Sequence, residues 1–69
     1  MAQSVGFVKS LRGHVILRTP EGDERPLAIG DRVGENDVIV TNPGSNIVIA
    51  LDNGNEIQLD GGQEMVLDN

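Results

Sequence analysis

With 69 residues, no cysteine, one histidine and one aromatic side chain, the chain is one small domain that neither disulfides nor thiolate metal sites can brace. Its formal net charge is −6, and Lys9, Arg12, Arg18, Arg25 and Arg32 are scattered along it, which argues against duplex nucleic acid or an anionic membrane surface as a partner. Twenty Val, Ile and Leu residues suffice for a thin two-layer core without a deep pocket, and the longest apolar run, Ile47 to Leu51, is far too short to cross a bilayer.

Apolar residues come in short bursts divided by turn signals, the spacing of an all-β domain. Residues 4–11 (SVGFVKSL) read as a strand with Val5, Phe7 and Leu11 on one face. Residues 14–19 follow, and the run Val15-Ile16-Leu17 suggests cover on both faces. Gly22 allows the tight turn at 20–23, and Pro26 confines 24–29 to a sheet edge or a strand start. Residues 37–41 (DVIVT) form the next strand, and Pro43-Gly44 the centre of a type II turn. In 46–52, Ile47, Ile49 and Leu51 point one way. Asn53-Gly54 has the sequence of a type I′ hairpin turn, answered by Ile57 and Leu59 in 55–60. Gly61-Gly62 turns the chain again, and 64–68 closes it. The expectation is a small antiparallel β-sandwich of seven or eight short strands, with consecutive strands as neighbours and a radius of gyration of ~11 Å. Its core is Phe7, Val15, Leu17, Ile39, Ile47, Ile49, Leu51, Ile57 and Leu59.

The stretch "GDRVGENDVIVTNPG" (30–44) could be a ligand loop or a pair of tight corners. A phosphate loop runs into a helix N-terminus, and here five strand-forming residues follow. Asp31, Glu35 and Asp37 miss the alternate-carboxylate register of a calcium loop. Gly30, Asp31 and Asp37 are therefore read as corner residues, with the carboxylates bonding local backbone. The segment 51–62 invites comparison with a calcium-binding glycine-rich nonapeptide, but Gln63 to Val66 stand where a third Gly and an Asp are needed. His14 has no second His or Cys with which to hold zinc, and as a lone histidine at a strand start it reads as a surface residue. No catalytic, cofactor or metal site is expected, and the chain does not read as an enzyme.

Four motifs in order carry a family resemblance: the opening Val8 to Val15, Glu21-Gly22 through Leu27, Gly30 to Thr41, and Leu51 to Leu59. Together they resemble the N-terminal retention module of giant RTX adhesins, over about residues 5–68. Asn36 stands where that family usually has Gly, and Asp60 where it often does. The paired-alanine processing site of such adhesins does not occur in the chain, so the resemblance implies a fragment, with residues 1–69 as one retention domain.

The resemblance implies a role. Such a module would fold in the periplasm and lodge beneath a TolC-like outer-membrane pore of type I secretion, at the periplasmic face of the outer membrane. It would hold the adhesin outside for cell adhesion and biofilm formation, without entering the membrane itself. A periplasmic protease acting beyond this fragment would release the adhesin. No signal-peptide core stands near Met1, in keeping with substrates that carry their export signal at the C-terminus. The block Gly30 to Thr41 is also similar to FecR-type periplasmic domains, which implies the alternative of a signalling or protein-binding domain. Those usually follow a membrane helix, so a native start at Met1 favours retention. A β-sandwich spacer of a surface protein is the third reading.

Overall fold

The computed structural model describes residues 4–67. They form eight strands: β1 (Ser4–Arg12), β2 (Val15–Arg18), β3 (Glu24–Pro26), β4 (Arg32–Gly34), β5 (Val38–Thr41), β6 (Asn46–Leu51), β7 (Glu56–Asp60) and β8 (Glu64–Val66). Two four-stranded sheets pack face to face, one in the order β4-β1-β6-β7 and the other β3-β2-β5-β8, with every pairing antiparallel. The sandwich measures 30 × 28 × 17 Å, with a radius of gyration of 10.6 Å. The strand expected over 64–68 is Glu64–Val66, and Asp68 lies outside the described residues. β4 occupies the short interval between the two corners of the 30–44 stretch.

Consecutive strands are neighbours in only two cases, β2–β3 and β6–β7; elsewhere the chain crosses from one sheet to the other. Four-residue corners make this possible. Three of them repeat one device, in which the fourth residue's side chain accepts the first residue's N–H. Ala28 N–H donates to Asp31 Oδ2 (2.9 Å), Gly34 N–H to Asp37 Oδ2 (2.8 Å) and Asp60 N–H to Gln63 Oε1 (2.8 Å). Asp31 N–H returns a bond to Ala28 O (3.1 Å) and Asp37 N–H one to Gly34 O (3.2 Å), so the first two corners close on themselves. Asn36 holds the left-handed third position at φ 70°, where the short polar side chain of Asn is tolerated. The carboxylates of Asp31 and Asp37 thus shape the backbone. The turn at Asn42–Ser45, bonded from Ser45 N–H to Asn42 O (3.0 Å) with Gly44 at φ 81°, has the type II form.

The core consists of Val8, Val15, Leu17, Leu27, Val33, Ile39, Ile47, Ile49, Leu59 and Leu67. Burying each such side chain contributes about 1.5–3 kcal/mol relative to exposure. Leu51 and Ile57 are half-buried against it. The placement of Phe7 in the core is corrected: it lies on the outer face, 38% exposed, while Val8 is fully buried. The cause is a pair of register shifts in β1, between Ser4 and Gly6 against β4 and between Val8 and Ser10 against β6. Each bulge inserts a residue and reverses the alternation. Val5, Val8 and Leu11 therefore all reach the core side, at positions that a strict period of two cannot reconcile.

The type I′ assignment at Asn53-Gly54 is also corrected. Such a turn needs φ > 0 at both residues, and only Gly54 has it, at 94°. Leu51 and Asn55 instead close a three-residue loop: Leu51 N–H donates to Asn55 O (2.7 Å) and Gly54 N–H to Leu51 O (3.0 Å). Asn53 Oδ1 takes the Asn55 N–H (3.0 Å). The hairpin at Thr19–Asp23 repeats the pattern, with Gly22 at φ 98°.

Candidate functional site

The strand directions give the sandwich two unlike ends. At the terminal end, Ser4 pairs with Gly34, and Asn36 N–H donates to Leu67 O (2.7 Å), so the chain enters and leaves on the same side. The loops at 19–23, 34–37 and 52–55 surround the two exits. At the opposite end the connections at 13–14, 42–45 and 61–63 meet.

That second end is tied together through two buried hydroxyls. Thr41 Oγ1 donates to Asp60 O (2.6 Å) and accepts Gln63 N–H (2.9 Å), joining β5 to the β7–β8 corner. Ser45 Oγ accepts His14 N–H (2.8 Å), joining the β5–β6 turn to the β1–β2 corner. Thr41 and Ser45 are buried, and their bonds satisfy backbone groups that the crossings would otherwise strand. Gly61 sits directly against the backbone of the β5–β6 turn; a Cβ there would lie 2.6 Å from Gly44 N and 2.9 Å from Asn42 O. Neither hydroxyl stands out in the sequence, although both flank the Asn-Pro-Gly turn where the chain changes sheets.

Residues weighed for metal chemistry are kept apart. Asp52 lies in the loop at the terminal end, 3.6 Å from Arg32 Nη2, whereas Asp60 lies at the tied end of β7. Among the described residues, no three acidic or histidine side chains converge. His14 is exposed and borders an open cleft of about 350 Å³ shared with Glu24, Arg25, Pro26 and Asn42. Glu24, the one carboxylate there, is bonded by Arg18 Nε at 2.9 Å.

The turn residues singled out from sequence divide between the two ends. Gly22, Asp37, Asn53 and Gly54 frame the exits at the terminal end. Pro43 and Gly44 belong to the tied end, and Gly30 and Asp31 form a flank corner bonded to Val8 through Gly30 N–H and Asp31 O (both 2.9 Å). Asp37 is buried and takes part in gripping the departing chain, since its carbonyl accepts Leu67 N–H (2.7 Å).

No family model matches the chain, and no curated protein matches it. A solved structure named "Cell surface anchoring domain" is similar to it, with a TM-score of 0.91 and 24% identity over 96% of this chain and 87% of that one. At that identity the likeness establishes the fold, a compact eight-stranded sandwich with the same course of the chain.

Proposed function

We propose that this domain is a cell-surface anchor that works by being folded: a retention plug holding a giant RTX adhesin in the outer-membrane pore of its type I secretion system. The reading rests on one observation above others, the near-complete likeness of the fold to a cell surface anchoring domain. The ordered motifs of the retention-module resemblance add to it, for they fall on the hairpins and corners that shape this fold.

Size supplies the mechanism. The smallest extent of the sandwich is 17 Å and the other two are near 30 Å. An extended chain is narrower than even a helix, which is ~10–12 Å across with its side chains. A pore that passes extended chain therefore stops the folded domain on steric grounds, with no bound cofactor and no chemistry. The partners in this reading are the TolC-like pore and a periplasmic protease cutting beyond the fragment, and the place is the periplasmic face of the outer membrane.

The experiment is Ile49→Asp in the parent adhesin, with the releasing protease deleted. Ile49 is fully buried, so an unpaired carboxylate there unfolds a domain whose net stability is only ~3–5 kcal/mol. The adhesin should move from the cell surface into the medium, as measured by immunoblot of both fractions. An unfolded domain that still anchors the adhesin would overturn the plug.

A further inference from the structure

We propose that tension on the domain is carried by β8 and that its ladder to β5 is a shear clamp, so that resistance to pulling depends on direction. The inference rests on the retention reading for the source of the load, and on geometry for the rest.

In a held adhesin, tension enters where the chain continues past Leu67. Leu67 leaves from the terminal end, so that end is drawn against the pore and the rim pushes back on it. β8 runs from the tied end to the terminal end, antiparallel to β5, with Val40 opposite Glu64 and Val38 opposite Val66. The pull thus lies along the axis of β8, across its ladder bonds. Bonds loaded in this way share the force and yield together, whereas a strand peeled from its end loses them one at a time.

The grip on β8 is longer than its three residues. Leu67 N–H donates to Asp37 O (2.7 Å), Thr41 N–H to Gln63 O (2.9 Å) and Gly62 N–H to Thr41 O (2.9 Å). With Asn36 bonded to Leu67 O, residues 62–67 are held against 36–41 along their whole length. Side chains lock both ends: Leu67 is buried (1% exposed), and Thr41 Oγ1 binds the backbone at Asp60 and Gln63. Arg18 Nη1 also reaches Glu64 (3.6 Å) from β2. As an edge strand, paired among the described residues with β5 alone, β8 would yield bond by bond in a peeling geometry.

The test is single-molecule force spectroscopy on the 69-residue chain, which has no cysteine of its own. One attachment is always at the C-terminus. The other is either a cysteine placed before Met1, so that force enters the described strands at Ser4 and Leu67, both on the terminal end, or Asn42→Cys at the tied end directly after β5. The Asn42 geometry should unfold at clearly higher force. His14→Cys, exposed at the same end, must give the same ordering, which guards against an Asn42 variant that misfolds. Thr41→Val should lower the force in the Asn42 geometry more than in the N-terminal one. Equal forces, or a stronger N-terminal geometry, would overturn the clamp. Because no pore is present, equal forces with a well-anchored adhesin reject the clamp alone. Directional forces with an Ile49→Asp adhesin that unfolds yet stays bound reject the retention reading alone.

Discussion

The two ends of the sandwich solve the same problem, turning the chain between strands, by different means. At the terminal end the hairpins stand free: a Cβ at Gly22 or Gly54 meets nothing within 4 Å, and each glycine serves only a left-handed φ. At the tied end Gly61 has no such φ, and serves instead to let the β7–β8 corner approach the backbone of the 42–45 turn. Buried hydroxyls at Thr41 and Ser45 then bond what the approach brings together. A glycine that fixes a dihedral and a glycine that makes room look alike in a sequence, yet they fail differently when substituted. The tied end holds the sandwich closed, while the terminal end is shaped for the chain to leave.

The largest effect that would break or support this contrast is expected at Gly61. Gly61→Val places a side chain against backbone atoms of Gly44 and Asn42, which cannot rotate away, and should cost about 3 kcal/mol. In a domain of ~3–5 kcal/mol that removes most of the stability, as a urea or thermal melt would read. A small shift would mean that the tied end is looser than its contacts indicate. Next comes Thr41→Val, nearly isosteric, which strips the donor from Asp60 O and the acceptor from Gln63 N–H. Leaving buried backbone groups unpaired costs about 1–3 kcal/mol, and hydrogen exchange should quicken at Gln63 before it does at Asn55.

Gly54→Ala comes third. Its cost is the left-handed conformation alone, about 1–2 kcal/mol, because the space around it is open. If Gly54→Ala cost as much as Gly61→Val, the contrast between the ends would be wrong. The smallest effect belongs to Glu56→Gln, which removes an ion pair to Lys9 between side chains about half exposed; the loss should be under about 1 kcal/mol and should shrink in high salt.

Much of the fold was legible because its signals are local. Proline and glycine mark the turns, and β-branched runs mark the strands, so the sandwich and most of its core follow from 46–60 and 14–19. The failures came where one backbone depends on another. Straight alternation through β1 puts Phe7 in the core, but the two bulges that reverse it are set by the strands on either side. The Asn53-Gly54 dipeptide favours a two-residue turn, but the register of Ala50 with Glu56 sets Leu51 against Asn55 and leaves three residues, 52–54, in the loop. The crossing of consecutive strands between sheets was hidden as well, since the side-chain bonds of Asp31, Asp37 and Gln63 that build the corners use residues common in any loop. The ties Thr41–Asp60, Thr41–Gln63 and His14–Ser45 join residues 19, 22 and 31 positions apart, and no local pattern marks them.

The central claim, that anchoring depends on the folded state and on no particular surface group, is tested most directly by one measurement across these variants. Gly61→Val, Thr41→Val, Gly54→Ala and Glu56→Gln are placed in the parent adhesin without the releasing protease, and the cell-bound fraction is plotted against the stability of each isolated domain. The account predicts a single curve on which retention falls with the folded fraction, whichever end carries the change. A variant that keeps its stability yet releases the adhesin, or one that unfolds and still holds it, would contradict the account.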